Sequence, residues 1–287
     1  MKILFIASSR KGKGISPFIK RQGESLISHG VDVNYFLMQG AGLKNYIKSL
    51  FTLRNYLNNN NFDLVHAHYG LTGIITLLAK PKRLKIVLSY MGDDLYGTFD
   101  VDSKLTTKGR VNVLLSKIFT PFYDFIIVKS ERMLGDIKSK YHSKCMVIPN
   151  GVDLKEFYPT TYSISKKELN LDDRFNILFL GSSIDPRKNH QLIQELEEYF
   201  QDYPDVRFVK PYPINSNKVP VYLNAVDLLL HPSKMEGSPN LVKEAMACAC
   251  PIISTDVGDV NWLFEKTDGC FIADDSASSF IEAIKTV

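Results

Sequence analysis

Short apolar runs alternate with longer segments of helical spacing along this chain. The apolar run 3–7 predicts a buried strand, and Ser16 followed by Pro17 predicts a helix start, since serine caps helices and proline suits their first position. Apolar residues then keep helical spacing until Gly30, after which 31–37 predicts a second strand. Repetition of this order is typical of a parallel sheet with helices on both faces.

The alternation continues and restarts after Gly151, which indicates two units. Further predicted strands are 64–67, 86–90, 125–128, 177–180, 206–209, 228–230 and 251–254. Further predicted helices are 71–78, 111–122, 132–141, 186–200 and 277–286. The polar segment 160–174 predicts a linker. We therefore predict an α/β protein of two doubly wound domains, 1–153 and 154–287, with ligands beyond the carboxyl ends of the strands.

The composition is that of a globular protein, with 45% apolar and 23% charged residues. The cysteines form no C-x-x-C pair, which favours reduced core residues over a zinc site or a disulfide framework. They are Cys145, Cys248, Cys250 and Cys270. The first apolar run is too short for a signal peptide, and no other run is long enough to span a bilayer. We therefore expect a cytoplasmic protein.

The two halves of the chain carry opposite charge. Residues 1–150 contain 22 Lys and Arg against 10 Asp and Glu, whereas 151–287 contain 13 against 21. Such asymmetry favours different partners for the two domains, although simple segregation of solubilising charge is an alternative. A basic half suits an anionic membrane surface or an anionic acceptor. Nucleic acid is disfavoured because no recognised binding motif accompanies the charge.

Two segments are candidates for peripheral membrane association at the inner face of the cell membrane. Residues 43–57 place apolar side chains on one side of a predicted helix and basic ones elsewhere, and 80–85 form a basic cluster. Amphipathic helices with basic flanks can lie on anionic bilayers. An ordinary helix that faces the core is the more common explanation of the pattern at 43–57.

The strongest motif is EGSPNLVKE, residues 236–244, which follows the strand 228–230 and the loop HPS. Ser238 before Pro239 predicts a capped helix that begins near Asn240, and a helix start binds anions such as a diphosphate. Glu244 lies one turn further on the same face, so Glu236 and Glu244 flank the helix start. Two solvated glutamates around an ordinary cap are the structural alternative.

At this point the chain resembles the family-4 retaining glycosyltransferases of the GT-B fold, whose hallmark is E-x7-E. The resemblance covers nearly the whole chain, and VIPNGVD and the E-x7-E segment are its most specific parts. Matching segments are DLVHAHYG (63–70), SYMGDDLYG (89–97), VIPNGVDLKEFYP (147–159), DPRKN (185–189), VDLLLHPS (226–233) and ISTDVGDV (253–260). It implies two Rossmann-like domains that face a central cleft, the first for the acceptor and the second for a nucleotide-sugar.

The resemblance implies donor-binding roles in the second domain. Glu236 would contact hydroxyls of the transferred sugar and stabilise its anomeric centre, and Glu244 would hold the ribose. Arg187 and Lys188 would neutralise the leaving diphosphate, where charge builds in the transition state. Further donor-binding residues are Gly237, Ser238, Pro239, Asn240, Leu241, Gly181 and, from the first domain, Gly14. The sequence departs from the family after Gly181, where Ser182 and Ser183 replace a common arginine.

The resemblance also suggests groups for the acceptor in the first domain. Gly12 and Gly14 stand in the loop after the first strand, where the family has a glycine-rich loop near the donor phosphates. His66 and His68 end a strand on one side. We expect His68 to line the cleft as an acceptor-binding residue, with a satisfied core histidine as the alternative.

Asp93 and Asp94 follow the strand 86–90, close to Met91, where many family members have a histidine. We predict that Asp93 positions or deprotonates the acceptor hydroxyl and that Asp94 binds the acceptor, because proton removal needs a carboxylate within hydrogen-bond reach. A helix cap is the alternative. Asp100 and Asp102 form a D-x-D that suits a divalent metal in another fold, but Arg187 and Lys188 can supply that charge, so we expect no metal cofactor.

These features predict retaining transfer of a sugar from a UDP- or GDP-linked donor to a glycan or lipid-linked acceptor, in surface polysaccharide synthesis. The alternatives are a non-catalytic sugar-nucleotide-binding partner subunit and a GT-B-like sugar-nucleotide epimerase. The family usually adds C-terminal helices that cross back to the first domain, and here one predicted helix follows residue 276. We therefore expect a shortened second domain.

Overall fold

The structure is a computed structural model. It describes residues 1–9, 14–39, 43–100 and 104–287, with the backbone alone of Leu43. Contacts divide the chain into two compact units. Unit 1 comprises Met1–Thr98 and Leu105–Asn150, and unit 2 comprises Gly151–Val287 with the described residues of Phe99–Lys104.

Unit 1 is built on a parallel sheet. Its strands are β1 (Lys2–Ser9), β2 (Asp32–Gln39), β3 (Leu64–His68), β4 (Lys85–Ser89), β5 (Phe125–Val128) and β6 (Cys145–Val147). Its helices are α1 (Pro17–Ser28), α2 (Leu43–Asn59), α3 (Gly70–Ala79), α4 (Asp93–Tyr96), α5 (Thr107–Phe119) and α6 (Glu131–Gly135). Among the described residues the strand order is β2-β1-β3-β4-β5-β6. The order reverses between β1 and β3, and ligands of doubly wound sheets bind at such a switch point.

Unit 2 repeats this architecture with its own sheet. Its strands are β7 (Phe175–Leu178), β8 (Val206–Val209), β9 (Leu228–His231), β10 (Ile252–Ser254) and β11 (Cys270–Ile272). Its helices are α7 (Tyr162–Glu168), α8 (His190–Phe200), α9 (Val219–Leu223), α10 (Asn240–Ala247), α11 (Val260–Phe264) and α12 (Ala277–Ile284). The described strands are ordered β11-β10-β9-β7-β8. The switch point therefore lies between β7 and β9.

The central strands of each sheet are buried on both faces, which explains why they read as short apolar runs. In unit 1, Leu4 and Ile6 of β1 pack with α2 and α3, whereas Phe5 faces α1. In α2, Leu53 and Leu57 are buried in the core. The core-facing alternative therefore holds for these residues of the segment 43–57.

The prediction of a linker at 160–174 was wrong. The segment contains α7, and its beginning is tied to the rest of unit 2: the Thr160 amide donates to Asn224 (2.7 Å), and the Tyr162 hydroxyl donates to Asp227 (2.6 Å). Lys166 is buried beside Asp173 at 3.7 Å. Polarity misled the prediction because these side chains are satisfied by tertiary partners.

Two predicted helices are interrupted. The segment 132–141 divides into α6, capped by the Ser130 hydroxyl, and a 3₁₀ helix, Ser139–Lys144. The segment 186–200 divides into a 3₁₀ turn, Pro186–Lys188, and α8. Asn189 separates these two with φ +53°, a left-handed conformation that asparagine tolerates.

Candidate active site

The switch point of unit 2 brings an acidic and a basic side chain into contact. The turn Pro186–Lys188 follows β7, and Glu236 lies in the loop after β9. The backbone amide of Lys234 donates to the Arg187 carbonyl at 2.8 Å, which joins the two loops. The Lys188 ammonium donates to Glu236 Oε1 at 2.5 Å. The structure therefore brings Lys188 and Glu236, 48 residues apart, into one ion pair.

This pair is half-buried, with side-chain exposures of 29% for Lys188 and 20% for Glu236. Burial raises the pKa of Glu236, but Lys188, His231 and Arg187 outweigh it and hold the pKa below its usual range. Asp185 accepts two hydrogen bonds from the Arg187 guanidinium, at 2.8 and 3.0 Å. Both cations are thus held in place before any anion arrives, which reduces the reorganisation that binding would require.

His231 lies behind this pair at the end of β9. Its Nδ1 contacts the Ser254 hydroxyl at 3.0 Å, and its Nε2 lies 3.9 Å from Glu236 Oε1. Burial and then Lys188 lower the pKa of His231 to about 4, so the ring is neutral near pH 7. Sequence reasoning placed His231 in a matching segment without a role, and its position directly after a buried strand was the available signal.

The start of α10 differs from the predicted cap. Pro239, not Ser238, occupies the cap position, and it makes no side-chain cap. The Ser238 hydroxyl donates to Asp259 Oδ2 at 2.8 Å instead, and Lys243 contacts both Ser238 and Asp259. The cap prediction for Ser238 was therefore wrong, because a carboxylate distant in sequence competes for the hydroxyl. The first N–H groups of α10 have no intrahelical acceptors and suit an anion.

A close approach of two backbones fixes the same loop. A Cβ on Gly258 would lie 2.9 Å from the Gly237 carbonyl oxygen, and Gly258 has φ +61°. Only glycine meets both conditions without strain. Lys243, Asp259 and Gly258 support the loop and were not predicted as site residues; the matching segment 253–260 was the only signal for the latter two.

The remaining predicted donor residues lie around this loop. Asn240, Leu241 and Glu244 are half-buried in the first turns of α10, and Leu241 also packs against the core of unit 2. Gly181 follows β7, and a Cβ there would lie 2.3 Å from the Phe179 ring. Gly14, in unit 1, is exposed with φ +73°. Gly12 and Asp102 lie outside the described residues, so those predictions stay predictions.

The switch point of unit 1 holds neutral polar groups. His66 Nε2 contacts the Ser89 hydroxyl at 2.8 Å, and the rings of His66 and His68 stack at 4.2 Å. His68 is 2% exposed, and neither of its ring nitrogens has a hydrogen-bond partner among the described residues. The nearby Ser9 hydroxyl of β1 likewise has none in that part of the chain. The predicted alternative of a satisfied core histidine therefore describes His66 better than His68.

Burial is the main cause of the lowered pKa of both histidines. It lowers the pKa of His66 to about 3, and the buried Lys129 adds to the effect. Burial, His66 and Lys129 together lower the pKa of His68 well below its usual range. Both rings are thus neutral near pH 7, and His68 can donate one hydrogen bond and accept another.

Asp93 and Asp94 occupy different environments at the start of α4. Asp94 is fully buried and accepts hydrogen bonds from the amides of Gly70 (3.0 Å), Met91 (2.9 Å) and Gly92 (3.0 Å). Burial raises the pKa of Asp94 to about 6, although these hydrogen bonds oppose the shift. These contacts give Asp94 a structural role in holding the backbone, and its predicted acceptor-binding role stays a prediction. Asp93 is half-buried.

All four cysteines are free thiols, with Cys248 and Cys250 buried. Within residues 1–9, 14–39, 43–100 and 104–287, no group of three or more His, Cys, Asp or Glu side chains is arranged to hold a metal ion. In the same ranges, no helix combines the length and apolar content needed to cross a bilayer.

Two tandem doubly wound units are the architecture of the GT-B class. A solved structure of sucrose-phosphate synthase from Thermosynechococcus elongatus aligns with a TM-score of 0.76 over 99% of this chain and 89% of that one, at 18% identity. Residues 15–156 match the model of Glycosyltransferase Family 4, and residues 163–287 match that of Glycosyl transferases group 1. The chain belongs to the family-4 glycosyltransferases with the GT-B fold, as the sequence motifs predicted.

Two relatives in sequence have printed activities. TuaC of Bacillus subtilis, a glycosyltransferase named for teichuronic acid biosynthesis, is 28% identical over 77% of this chain and 60% of TuaC. A UDP-Gal:alpha-D-GlcNAc-diphosphoundecaprenol alpha-1,3-galactosyltransferase of Escherichia coli is 27% identical over 88% of this chain and 73% of the relative. The chain thus spans less than two thirds of TuaC and about three quarters of the second relative.

Proposed function

We propose that this chain is a retaining glycosyltransferase that moves a sugar from a UDP- or GDP-linked donor to a glycan or lipid-linked acceptor. The Lys188–Glu236 pair carries the proposal, because it stands at the switch point of unit 2 with Arg187 beside it. The start of α10, which lacks a side-chain cap, follows in the same loop. Cations and a helix N-terminus at a switch point suit a diphosphate.

In this proposal each side chain of unit 2 has one task. Arg187, Lys188 and the first amides of α10 hold the diphosphate and stabilise its charge as the sugar C1–O bond breaks. Glu236 binds sugar hydroxyls and stabilises positive charge at C1, and Glu244 binds the ribose. The positive charge beside the leaving group comes from Arg187 and Lys188, and the proposal requires no metal cofactor.

The acceptor oxygen then bonds to C1 on the face from which the diphosphate leaves, which retains the configuration. Asp93 positions the acceptor hydroxyl and takes its proton, and the neutral His68 hydrogen-bonds the acceptor. Asp94 acts indirectly, because its carboxylate fixes the backbone at Gly70, Met91 and Gly92. The family membership and the relatives' printed activities support transfer in surface polysaccharide synthesis, and our proposal places this transfer on the cytoplasmic side.

Family membership also favours transfer over the alternatives. Both matching models describe glycosyltransferases, which argues against the epimerase. The ionised, paired Glu236 argues against a purely binding subunit, because a carboxylate beside a cation is suited to charge stabilisation at a reacting centre. An epimerase would isomerise the donor sugar in the absence of any acceptor, and a binding subunit would leave every donor unchanged.

The test begins with a thermal-shift screen of UDP-, GDP- and ADP-sugars, because a bound donor raises the apparent melting temperature. With the selected donor, we expect Glu244→Ala to weaken binding about tenfold or more, since a charged hydrogen-bond partner of the ribose is lost. Glu236→Gln should bind the donor and lose about a hundredfold or more in turnover. Glu198→Ala, an exposed site on α8, is the matched control. Full activity in both variants refutes the proposal.

A further inference from the structure

Helix α5 exposes large apolar side chains and buries small or polar ones. Its buried residues are small or polar: Gly109, Asn112 and Ser116. Its outer side carries large apolar residues: Val111 is 50% exposed, Leu114 59% and Ile118 51%, and Phe122, one turn beyond, is 64% exposed. Helices of water-soluble proteins normally bury the apolar stripe.

Packing explains the small residues on the inner side. Helix α5 lies close to α3, where a Cβ on Gly70 would come within 2.3 Å of the Ser116 hydroxyl. Such a close approach needs small side chains on both helices. Among the described residues, packing leaves Val111, Leu114 and Ile118 at least half exposed, so burial does not explain why these outer positions are apolar. An exposed apolar stripe of this kind marks an interaction surface.

Two neighbouring helices extend the exposed apolar area. Helix α3 packs against both α2 and α5. On α2, Ile47 is 48% exposed and Phe51 62%, and on α3 Leu78 is 49% exposed. Arg54, on the same side of α2 as Ile47 and Phe51, donates to the Leu78 carbonyl at 2.6 Å. We define the apolar–basic surface as Ile47, Phe51, Leu78, Val111, Leu114, Ile118 and Phe122 with the basic residues of α2, α5 and 80–85.

The charge of this surface has one sign. Helices α2, α3 and α5 and the segment 80–85 contain ten Lys and Arg and no Asp or Glu. They are Lys44, Lys48, Arg54, Lys80, Lys82, Arg83, Lys85, Lys108, Arg110 and Lys117. Lys85 is paired with Asp124 at 2.9 Å. A second copy docked through the same surface would bring like charges together, whereas an anionic bilayer accepts both the cations and the apolar side chains.

We propose that the apolar–basic surface docks unit 1 on an anionic lipid bilayer, with the apolar side chains of α5 entering the headgroup boundary. The sequence pointed to 43–57 and 80–85 as membrane segments, and the structure assigns the central role to α5 instead. The docking does not depend on the proposed chemistry, since it involves none of the residues of that site.

The first test is co-sedimentation of the full chain with vesicles of phosphatidylcholine alone or mixed with phosphatidylglycerol. We expect binding to the mixed vesicles that falls with added salt. Leu114→Ser with Ile118→Ser should lower the bound fraction about tenfold, because the entering apolar area is lost. Ile164→Ser with Trp262→Ser, 66% exposed at both sites on unit 2, is the matched control and should bind as the unmodified chain does.

Charge reversal gives the second test. Lys108→Glu with Lys117→Glu should also lower binding about tenfold, while Lys167→Glu with Lys266→Glu, the same change on exposed sites of unit 2, should not. Unchanged melting temperatures show that each variant folds. No binding of the unmodified chain, or equal losses in test and control variants, overturns the proposal. A stable dimer that Leu114→Ser with Ile118→Ser dissociates, without vesicle binding, also overturns it and assigns the surface to a second copy.

Discussion

The switch points of the two units are built from opposite kinds of polar groups. In unit 2, Lys188 and Glu236 are charged and paired. In unit 1, His66 and His68 are neutral and stacked, and the carboxylate of Asp94 is occupied by backbone amides. The same topology therefore supports two chemistries: charge held ready for an anion in unit 2, and neutral histidine rings in unit 1, where Asp94 is held by backbone amides and Lys129 is buried.

The difference lies in how burial is compensated. A buried charge needs a partner, and unit 2 supplies one by joining the loops after β7 and β9. Unit 1 instead holds its histidines in the uncharged form by burial. Neutral groups can bind a hydroxyl-bearing acceptor without competing for the diphosphate. This is consistent with the proposal that unit 1 binds the acceptor and unit 2 binds the donor.

The largest expected effect concerns the charge at unit 2. Lys188→Met should lower turnover by about 10²–10³, because the cation that stabilises the leaving diphosphate is lost. Steady-state kinetics with the selected donor measure this effect. Lys266→Met, exposed elsewhere on unit 2, should leave turnover unchanged. Normal turnover of Lys188→Met would remove the contrast between the two switch points.

A second prediction concerns the neutral ring behind the pair. The pKa of His231 is about 4 in the folded chain, below the usual 6.5, so the unfolded chain binds the proton first as pH falls. Stability should therefore drop by about 3 kcal/mol between about pH 6.5 and about pH 4. His231→Asn should remove this part of the loss in denaturant titrations, whereas exposed His29→Asn should not. An unchanged pH dependence in His231→Asn would contradict a neutral ring.

The smallest expected effects distinguish the roles of Asp93 and Asp94, two adjacent carboxylates in unit 1. Asp94→Asn should destabilise the fold by about 1–3 kcal/mol, because one of the two acceptor oxygens becomes an NH2 donor that faces buried backbone amides. Asp93→Asn should keep the melting temperature and lower turnover about a hundredfold. Thermal melts and kinetics on both variants measure the split. The reverse pattern would exchange the roles of the two residues.

Local sequence signals were enough to predict most of the helices and strands and the motif at 236–244. The strands 125–128 and 206–209 were predicted with the bounds that the structure gives, because short apolar runs between turns mark buried strands. The helix near Asn240 was also predicted correctly, since proline precedes it. The linker at 160–174 failed because polarity in sequence does not distinguish a solvated segment from one whose polar groups have distant partners.

The sequence by itself determined the two doubly wound units and the loop with Glu236, because periodicity, capping and side-chain chemistry are local properties. Tertiary structure alone decided that Ser238 binds Asp259, that Asp94 holds the backbone at Gly70, and that α5 turns its apolar side outward. Those outcomes depend on strand order and on how closely α3 and α5 approach. No window of neighbouring residues contains that information, because the groups involved meet only after the sheets have formed.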